Sequence, residues 1–170
     1  MITTNHIAKS SGISPGNLYY HYKNKEEIIF SLFEKMILEW ESEEIALEGS
    51  NLDKILDQQL KKTFKYVWQY RFVHRELVSL LEKDEKLKRL CKQVFQRRLQ
   101  EIKLLLSRFE SMGILLKLNE EEREFIAQTA LLYGLFWQPY LDVLGEKPSE
   151  KNVLRGVNMI RMLLQPYLIR

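Results

Sequence analysis

The sequence predicts an all-α protein in which a short N-terminal pair of helices precedes a longer helical body. Apolar residues recur at intervals of three and four over most of the 170 positions, which is the period of an amphipathic helix. Glycine and proline are few, at seven and four, and no alternating segments around a tight turn predict a β-hairpin. With 45% hydrophobic residues, a chain of this length can bury a substantial core.

The first two helices are predicted by a helix end and a helix start that follow each other almost directly. Thr3 or Thr4 can cap the first helix, because a side-chain oxygen there accepts hydrogen bonds from unpaired backbone N–H groups. Gly12 can end that helix in the left-handed conformation, and Ser14 then caps a second helix that begins at Pro15. This arrangement predicts a helix-turn-helix, in which the second helix lies in the major groove of DNA.

The second predicted helix has one face for packing and one for DNA. Leu18 and Tyr22 are four positions apart and should pack, whereas another face carries polar side chains. These outward side chains are Asn17, Tyr20, His21 and Asn24. Asn17 can hydrogen-bond a base edge, with adenine as its natural partner. Tyr19, Tyr20 and His21 can donate to phosphate oxygens. Lys25 would add a phosphate contact that makes binding salt-dependent.

The short motifs of this head resemble the signature of the TetR family of transcriptional regulators. They are Thr3-Thr4, Ile7-Ala8, Gly12-Ile13-Ser14 and Leu18-Tyr19-Tyr20-His21-Tyr22 with Lys25. The resemblance covers about the first thirty positions and implies an all-helical homodimer, with a DNA-binding head and a larger ligand-binding and dimerisation bundle. It also implies a repressor that leaves a palindromic double-stranded DNA operator when a small-molecule effector binds. An activator remains an alternative, because the head determines only which DNA site the protein binds and not its effect on transcription.

The resemblance assigns the DNA-binding residues position by position. Those that fall where relatives approach bases are Asn5, Pro15, Gly16, Asn17 and Tyr20, and those that fall where relatives hold the DNA backbone are Thr4, Tyr19, His21 and Lys25. The head with its connecting helix is expected over residues 1–46, and the ligand-binding and dimerisation domain over 47–170.

One feature departs from the family, whose members place a full amphipathic helix before this motif, whereas this chain begins with the motif at Met1. The preceding helix normally packs on Ile7, Ala8, Leu18 and Ile28. We therefore expect the head to lack one wall of its small core and the chain as written to bind DNA weakly or not at all. The alternative function is a helical dimerisation or ligand-binding protein whose truncated head no longer binds DNA.

The body is predicted as a connecting helix followed by five helical segments. The connecting helix runs from near Asn24 through Ile37, and Gly49-Ser50 ends that region. The first segment starts near Asn51 and runs through Trp68, and the second spans Phe72 to Leu81. The third carries an apolar stripe from Leu87 to Phe109 and ends at Gly113. The fourth spans Phe125 to Leu144, and the fifth begins near Ser149. Pro139 should kink or break the fourth of these, since it lacks a backbone donor.

The last two helices are apolar on more than one side, which predicts that each packs against other helices on two sides. Two such helices from each of two chains would form a four-helix dimer interface with twofold symmetry. The residues predicted for it are Leu132, Phe136, Tyr140, Val157, Ile160 and Leu164. The alternative is that both helices are buried in the core of a monomer.

A ligand pocket is predicted from large aromatic rings on the body helices, with a polar group among them. The predicted lining residues are Phe64, Trp68, Phe72, His74, Phe95, Tyr133 and Trp137. Aromatic residues at helical spacing are more often core, and a lone histidine is more often structural than a ligand contact. The sequence names no effector.

Charge, cysteine usage and the absence of known motifs favour a DNA-binding protein over a membrane protein, a secreted protein or an enzyme. Residues 1–25 hold three lysines and no acidic residue, which suits a polyanionic partner, whereas residues 26–50 hold eight glutamates and one lysine. The single Cys91 lies on an apolar stripe and fits a reducing cytoplasm, and no membrane span or signal peptide is predicted. Three histidines lack metal-ligand spacing, and no P-loop, GxGxxG or GxSxG motif occurs, so we expect no enzyme, metal or cofactor.

Overall fold

The computed structural model describes residues 3–41, 54–55, 58, 61–62, 65–66, 69–147 and 149–169, and these form the predicted all-α fold. The helices are α1 (Thr4–Ser10), α2 (Pro15–His21), α3 (Lys25–Glu41), α4 (Arg71–Lys83), α5 (Glu85–Ser111), α6 (Glu120–Val143) and α7 (Glu150–Leu164), and a 3₁₀ turn (Gln165–Tyr167) follows. The described residues between 54 and 69 are also helical. The end of the connecting helix that we predict at Gly49-Ser50 lies outside the described residues.

The turn between α1 and α2 forms through the predicted local signals. The Thr3 hydroxyl accepts from the His6 backbone N–H, and the His6 ring accepts from the Thr3 N–H, so the two residues cap α1 reciprocally. Gly12 has φ of 68°, which an L side chain rarely adopts. The Ser14 hydroxyl then accepts from the Asn17 N–H at 3.1 Å, with Pro15 as the first residue of α2.

A small apolar core holds the head together. Ala8, Leu18 and Ile28 are 0%, 5% and 8% exposed, and Ile7, Tyr22 and Leu32 pack partly buried around them. Of the four residues that we expect to lose a covering wall, three are therefore buried within the described chain and Ile7 is half-buried. Ile28 and Leu32 of α3 pack in this cluster with Ala8 and Leu18 and so contribute to their burial.

Helix α3 belongs to the head and to the body at once. Ile28 packs in the head, whereas its neighbours Ile29 and Phe33 pack in a core with residues of α4 and α5. Asn24 caps α3, since its side-chain oxygen accepts from the Glu27 N–H at 2.9 Å. The helix therefore links head and body as one continuous rod.

The body has two main hydrophobic clusters, and the long helix α5 contributes to both. The first cluster joins α3 to the N-terminal half of α5, and its buried residues are Ile29, Phe33, Tyr66, Tyr70, Leu77, Leu87, Cys91 and Val94. The second lies at the far end of the body, and its buried residues are Ile55, Leu106, Phe109, Leu115, Leu118, Ile126, Ile160 and Leu164. Cys91 is 2% exposed, and burial raises the pKa of its thiol to about 12.

Helix α6 begins five residues before the predicted Phe125 and ends at Val143, one residue before the predicted end. Asn119 caps it reciprocally with Glu122, so three glutamates fill its first turn, where negative charge is favourable. The helix continues through Pro139 to Val143, although the sequence predicts a kink or a break there. Trp137, Gln138 and Leu141 around Pro139 are buried, and we infer that their packing keeps the helix continuous across the missing backbone hydrogen bond. Among the described residues, no helix is both long and apolar enough to cross a membrane.

Candidate nucleic-acid interface

Helix α2 separates into a buried side and a solvent side, as its spacing predicts. Leu18 is 5% exposed and faces the head core, whereas Tyr19 and Tyr20 are 50% and 84% exposed. The other predicted base-contacting residues, Asn5, Pro15, Gly16 and Asn17, are also exposed. The face is therefore open to a partner and rests on a packed scaffold.

Two of the predicted backbone-binding residues lie together. The hydroxyls of Thr4 on α1 and Tyr19 on α2 are 2.8 Å apart, although the residues are fifteen positions apart in the chain. His21 is exposed, and its ring meets the edge of the Tyr20 ring at a centroid distance of 5.0 Å. Lys25 is half-buried at the start of α3. The structure thus brings Thr4 to Tyr19 and Tyr20 to His21, on α1 and α2.

Gly16 leaves space on this surface that the protein itself does not fill. A Cβ atom added there would meet only the Ser14 Oγ, at an ordinary 3.9 Å. No packing within the described chain therefore requires glycine at this position. A small residue here lets a large partner approach the backbone of α2 closely.

The predicted ligand-pocket residues fall into different parts of the body. Phe95 packs against the cluster around α3, whereas the Tyr133 and Trp137 rings lie near the far end of the body, with their centroids 5.0 Å apart and their planes tilted by 31°. Phe64 and Trp68 lie outside the described residues, and so do the side chains of Phe72 and His74. The described part of the chain thus brings Tyr133 and Trp137 together and keeps Phe95 apart from them.

An open groove of about 330 Å³ lies between α5 and α6, away from the predicted pocket residues. Its lining residues are Gln96, Arg97, Leu99, Gln100, Lys103 and Glu124. Lys103 is paired with Glu124 and, at 3.0 Å, with Glu120, and hydrogen bonds to these two carboxylates raise its pKa. The cation therefore already has partners from the protein.

The predicted dimer residues divide between surface and core. Leu132, Phe136 and Tyr140 on α6 are 58%, 43% and 53% exposed and follow one another at intervals of four. The α7 residues of the prediction, Val157, Ile160 and Leu164, are instead buried in the chain's own core. The exposed apolar residues of α7 are Leu154, Met159 and Met162. An apolar surface on these two helices therefore exists, but α7 presents a different set of residues from the predicted one.

A polar contact between α3 and the body is missing from the sequence-based predictions. Tyr66 and Tyr70 are buried, and both hydroxyls donate to Glu39 near the end of α3. The residues are 27 and 31 positions from Glu39, so no local pattern indicates the contact. In the sequence, only Tyr66 and Tyr70 themselves hint at this contact, because a buried tyrosine hydroxyl requires a hydrogen-bond partner.

No group of His, Cys, Asp and Glu within the described ranges could hold a metal ion.

Two family models match the chain. One, described as bacterial transcriptional repressor and named TetR, matches residues 38–170, and the other, bacterial regulatory proteins of the tetR family, matches residues 2–32. Among curated proteins, no sequence matches significantly.

Solved structures of TetR-family regulators have the same fold. A TetR-family transcriptional regulator from Marinobacter aquaeolei VT8 is 30% identical, with a TM-score of 0.84 over 99% of this chain and 81% of that chain. A TetR transcription regulator from Haloarcula marismortui is 13% identical, with a TM-score of 0.72 over 99% of this chain and 88% of that one. A Clostridium perfringens protein described as a fatty acid metabolism regulator is 17% identical, with a TM-score of 0.64 over 99% and 90%. The last two likenesses concern the fold alone.

Proposed function

This chain belongs to the TetR family of transcriptional regulators, and from that membership we propose that it is a ligand-responsive repressor. It binds a palindromic DNA operator as a homodimer, with one α2 in each of two successive major grooves. A small molecule that enters the body releases it. The single observation that carries this proposal is the exposed polar face of α2 on a buried apolar scaffold.

The DNA-reading role rests on what the face of α2 offers. Asn17 is exposed and can form the paired hydrogen bonds that select adenine. Pro15 and Gly16 leave the start of α2 free for close approach, and Thr4, Tyr19, His21 and Lys25 surround it with donors for phosphate. Asn5 and Tyr20 complete the proposed base-contacting set.

The homodimer rests on the exposed apolar surface of α6 and α7. Leu132, Phe136 and Tyr140 form a stripe on α6, and Leu154 and Met162 are exposed on α7. A stripe of this kind is unfavourable in water and fits a second copy of itself across a twofold axis. In a palindromic operator, the two half-sites would then lie about 34 Å apart or at a multiple of that distance.

The release mechanism rests on the packing of α3 in both the head and the body. Ile28 packs in the head and Phe33 in the body, so a displacement of the body side of α3 displaces the head. An effector can shift the equilibrium only as far as it prefers the arrangement that does not bind DNA. An effector that binds the body and leaves operator affinity unchanged would contradict this mechanism.

The first experiment is selection of DNA by the full chain from a library of random duplexes, followed by fluorescence anisotropy at two salt concentrations. Because Ala8, Leu18 and Ile28 are buried in the head, we expect enrichment of an inverted repeat instead of the weak binding that the sequence alone predicts, and we expect binding to weaken steeply with salt. A duplex of the same composition with the repeat scrambled is the control. Equal binding to both, or binding to neither, would contradict operator recognition and favour the alternative, a dimerisation or ligand-binding module whose head no longer binds DNA.

A further inference from the structure

Glu39 is held near the C-terminal end of α3 by the helical segment that ends at Tyr70. The Tyr70 hydroxyl donates to the Glu39 Oε2 at 2.7 Å, and the Gln69 amide donates to the same oxygen at 3.3 Å. The Tyr66 hydroxyl donates to the Glu39 backbone carbonyl at 2.9 Å. The body therefore holds both the side chain and the main chain of one residue of α3.

The two tyrosines are committed to this contact by their burial. Tyr66 and Tyr70 are 5% and 4% exposed, so their hydroxyls depend on protein partners. Burial, followed by the hydrogen bond to Glu39 and its negative charge, raises the pKa of Tyr70 to about 12. The hydroxyl thus remains a donor throughout the physiological pH range. A hydrogen bond to a carboxylate is also stronger than one between neutral groups.

The contact lies at the opposite end of α3 from the head. Ile28, which packs in the head, is eleven positions before Glu39. This separation corresponds to about 16 Å along the helix. Between them, Ile29 and Phe33 pack against the body. Phe30, Met36 and Ile37 pack against the same cluster, so apolar contact runs along α3. The hydrogen bonds at Glu39 add a directional attachment near the end of the helix, which apolar packing alone does not supply.

We propose that Glu39, Tyr66 and Tyr70 form a positioning clasp that fixes the direction of α3 and thereby the separation of the two heads in the dimer. The inference rests on the proposed function and specifies where its regulation acts. An effector that separates Tyr66 and Tyr70 from Glu39 opens the clasp, and the two heads then no longer match the operator spacing.

The clasp predicts a specific pattern of DNA binding. Loss of the Tyr70 hydroxyl leaves each head folded but allows its position to vary. Affinity for the full inverted repeat should fall about fivefold to tenfold, the effect of about one hydrogen bond, while affinity for an isolated half-site stays unchanged. Tyr70→Phe is the variant, and Glu39→Gln, which keeps an uncharged acceptor, should lie between it and the parent. Tyr167→Phe makes the same chemical change at the far end of the body.

Head separation can be measured directly with a spin label at Ser11→Cys, an exposed position at the end of α1. Cys91 is buried with a raised thiol pKa and should not react with the label. We expect electron–electron distances between the two labels to be narrowly distributed in the labelled parent and in Tyr167→Phe, and broad in Tyr70→Phe.

The outcomes separate the clasp from the proposed function. An unchanged distance distribution in Tyr70→Phe, or equal losses on the full repeat and the half-site, would overturn the clasp and leave the dimeric repressor standing. The absence of dipolar coupling in the labelled parent would overturn the homodimer and the clasp with it. Rescue of the narrow distribution in Glu39→Gln relative to Tyr70→Phe supports a hydrogen-bonded clasp over a packing effect.

Discussion

The Thr4 and Tyr19 hydroxyls meet at 2.8 Å and join α1 to α2 at the edge of the proposed DNA surface. Whichever hydroxyl donates to the other, one O–H remains free to donate to a phosphate oxygen. The pair therefore holds its geometry before DNA arrives, so that little side-chain freedom is lost on binding.

Replacement of Tyr19 by Phe should weaken binding to all DNA sequences alike, by about 1 kcal/mol. The substitution removes the Tyr19 hydroxyl and its bond to Thr4, so the Thr4 hydroxyl that remains is no longer held in place for a phosphate, but no charge changes. Anisotropy titrations at several salt concentrations should therefore give the parent's salt slope at lower affinity. A change in base preference would contradict the assignment of Tyr19 to the DNA backbone.

Asn17→Ala should act on specificity instead. An exposed asparagine that reads adenine contributes about 1–3 kcal/mol of discrimination at one base pair. Affinity for the selected repeat should fall by that amount, while affinity for unrelated duplex changes little. The measurement is a comparison of the repeat with variants carrying each alternative base pair. Equal losses on specific and unrelated DNA would mean that Asn17 does not read a base.

Lys25→Ala provides the electrostatic counterpart. Lys25 is half-buried as the first residue of α3 and is proposed to neutralise one phosphate. Its loss should weaken binding to every sequence and reduce the slope of log affinity against log salt by about one unit. Lys151→Ala, an exposed lysine on α7 in the body, should leave the slope unchanged. Identical slopes in the parent and Lys25→Ala would place this lysine away from the DNA.

The head could be predicted from sequence because its signals are local. Gly12, Ser14 and Pro15 act within one turn of the chain, and the structure shows each in the expected conformation. The faces of α7 could not be predicted in this way, since apolar residues surround most of the helix. Only tertiary packing decides that Val157 is buried while Met162 is 69% exposed.

The Glu39 contact lay beyond sequence reasoning for a related reason. It joins residues about thirty positions apart, and its acceptor includes a backbone carbonyl that carries no sequence signal. Tertiary packing also explains why α6 continues through Pro139, where the sequence predicts a kink or a break. The buried residues around Pro139 belong to the core, and a local pattern does not show this.

The exposed stripe on α6 predicts how the dimer can be broken. Phe136→Glu would place a carboxylate at the centre of the stripe between Leu132 and Tyr140, where desolvation of the charge opposes association. Sedimentation at micromolar concentration should show a dimer for the parent and a monomer for this variant. Leu104→Glu changes a leucine on α5 that is even more exposed, at 62%, and should remain dimeric. A dimeric Phe136→Glu would place the interface elsewhere.

Glu110 and Arg123 form an ion pair that connects α5 and α6. The Arg123 Nη2 lies 3.0 Å from the Glu110 Oε1, and both side chains are less than one-fifth exposed. The same carboxylate oxygen accepts from the Leu118 N–H at 2.9 Å. Burial opposes ionisation, but the Leu118 N–H and the Arg123 guanidinium outweigh it and hold the pKa of Glu110 below its ordinary value of 4.5. The folded state therefore favours the ionised carboxylate.

Glu110→Gln should consequently destabilise the protein in a pH-dependent way. Because the pKa is lower in the folded state, the stabilisation is fully present above pH 4.5 and is lost as the pH falls through the folded value. Denaturant unfolding at neutral pH should give a loss of about 2 kcal/mol for Glu110→Gln, and the difference from the parent should shrink in acid. Glu101→Gln removes an exposed partner of Arg98, so its effect should stay below about 0.5 kcal/mol. A loss for Glu110→Gln that is the same at neutral and acidic pH would mean that the effect comes from packing and not from the charge.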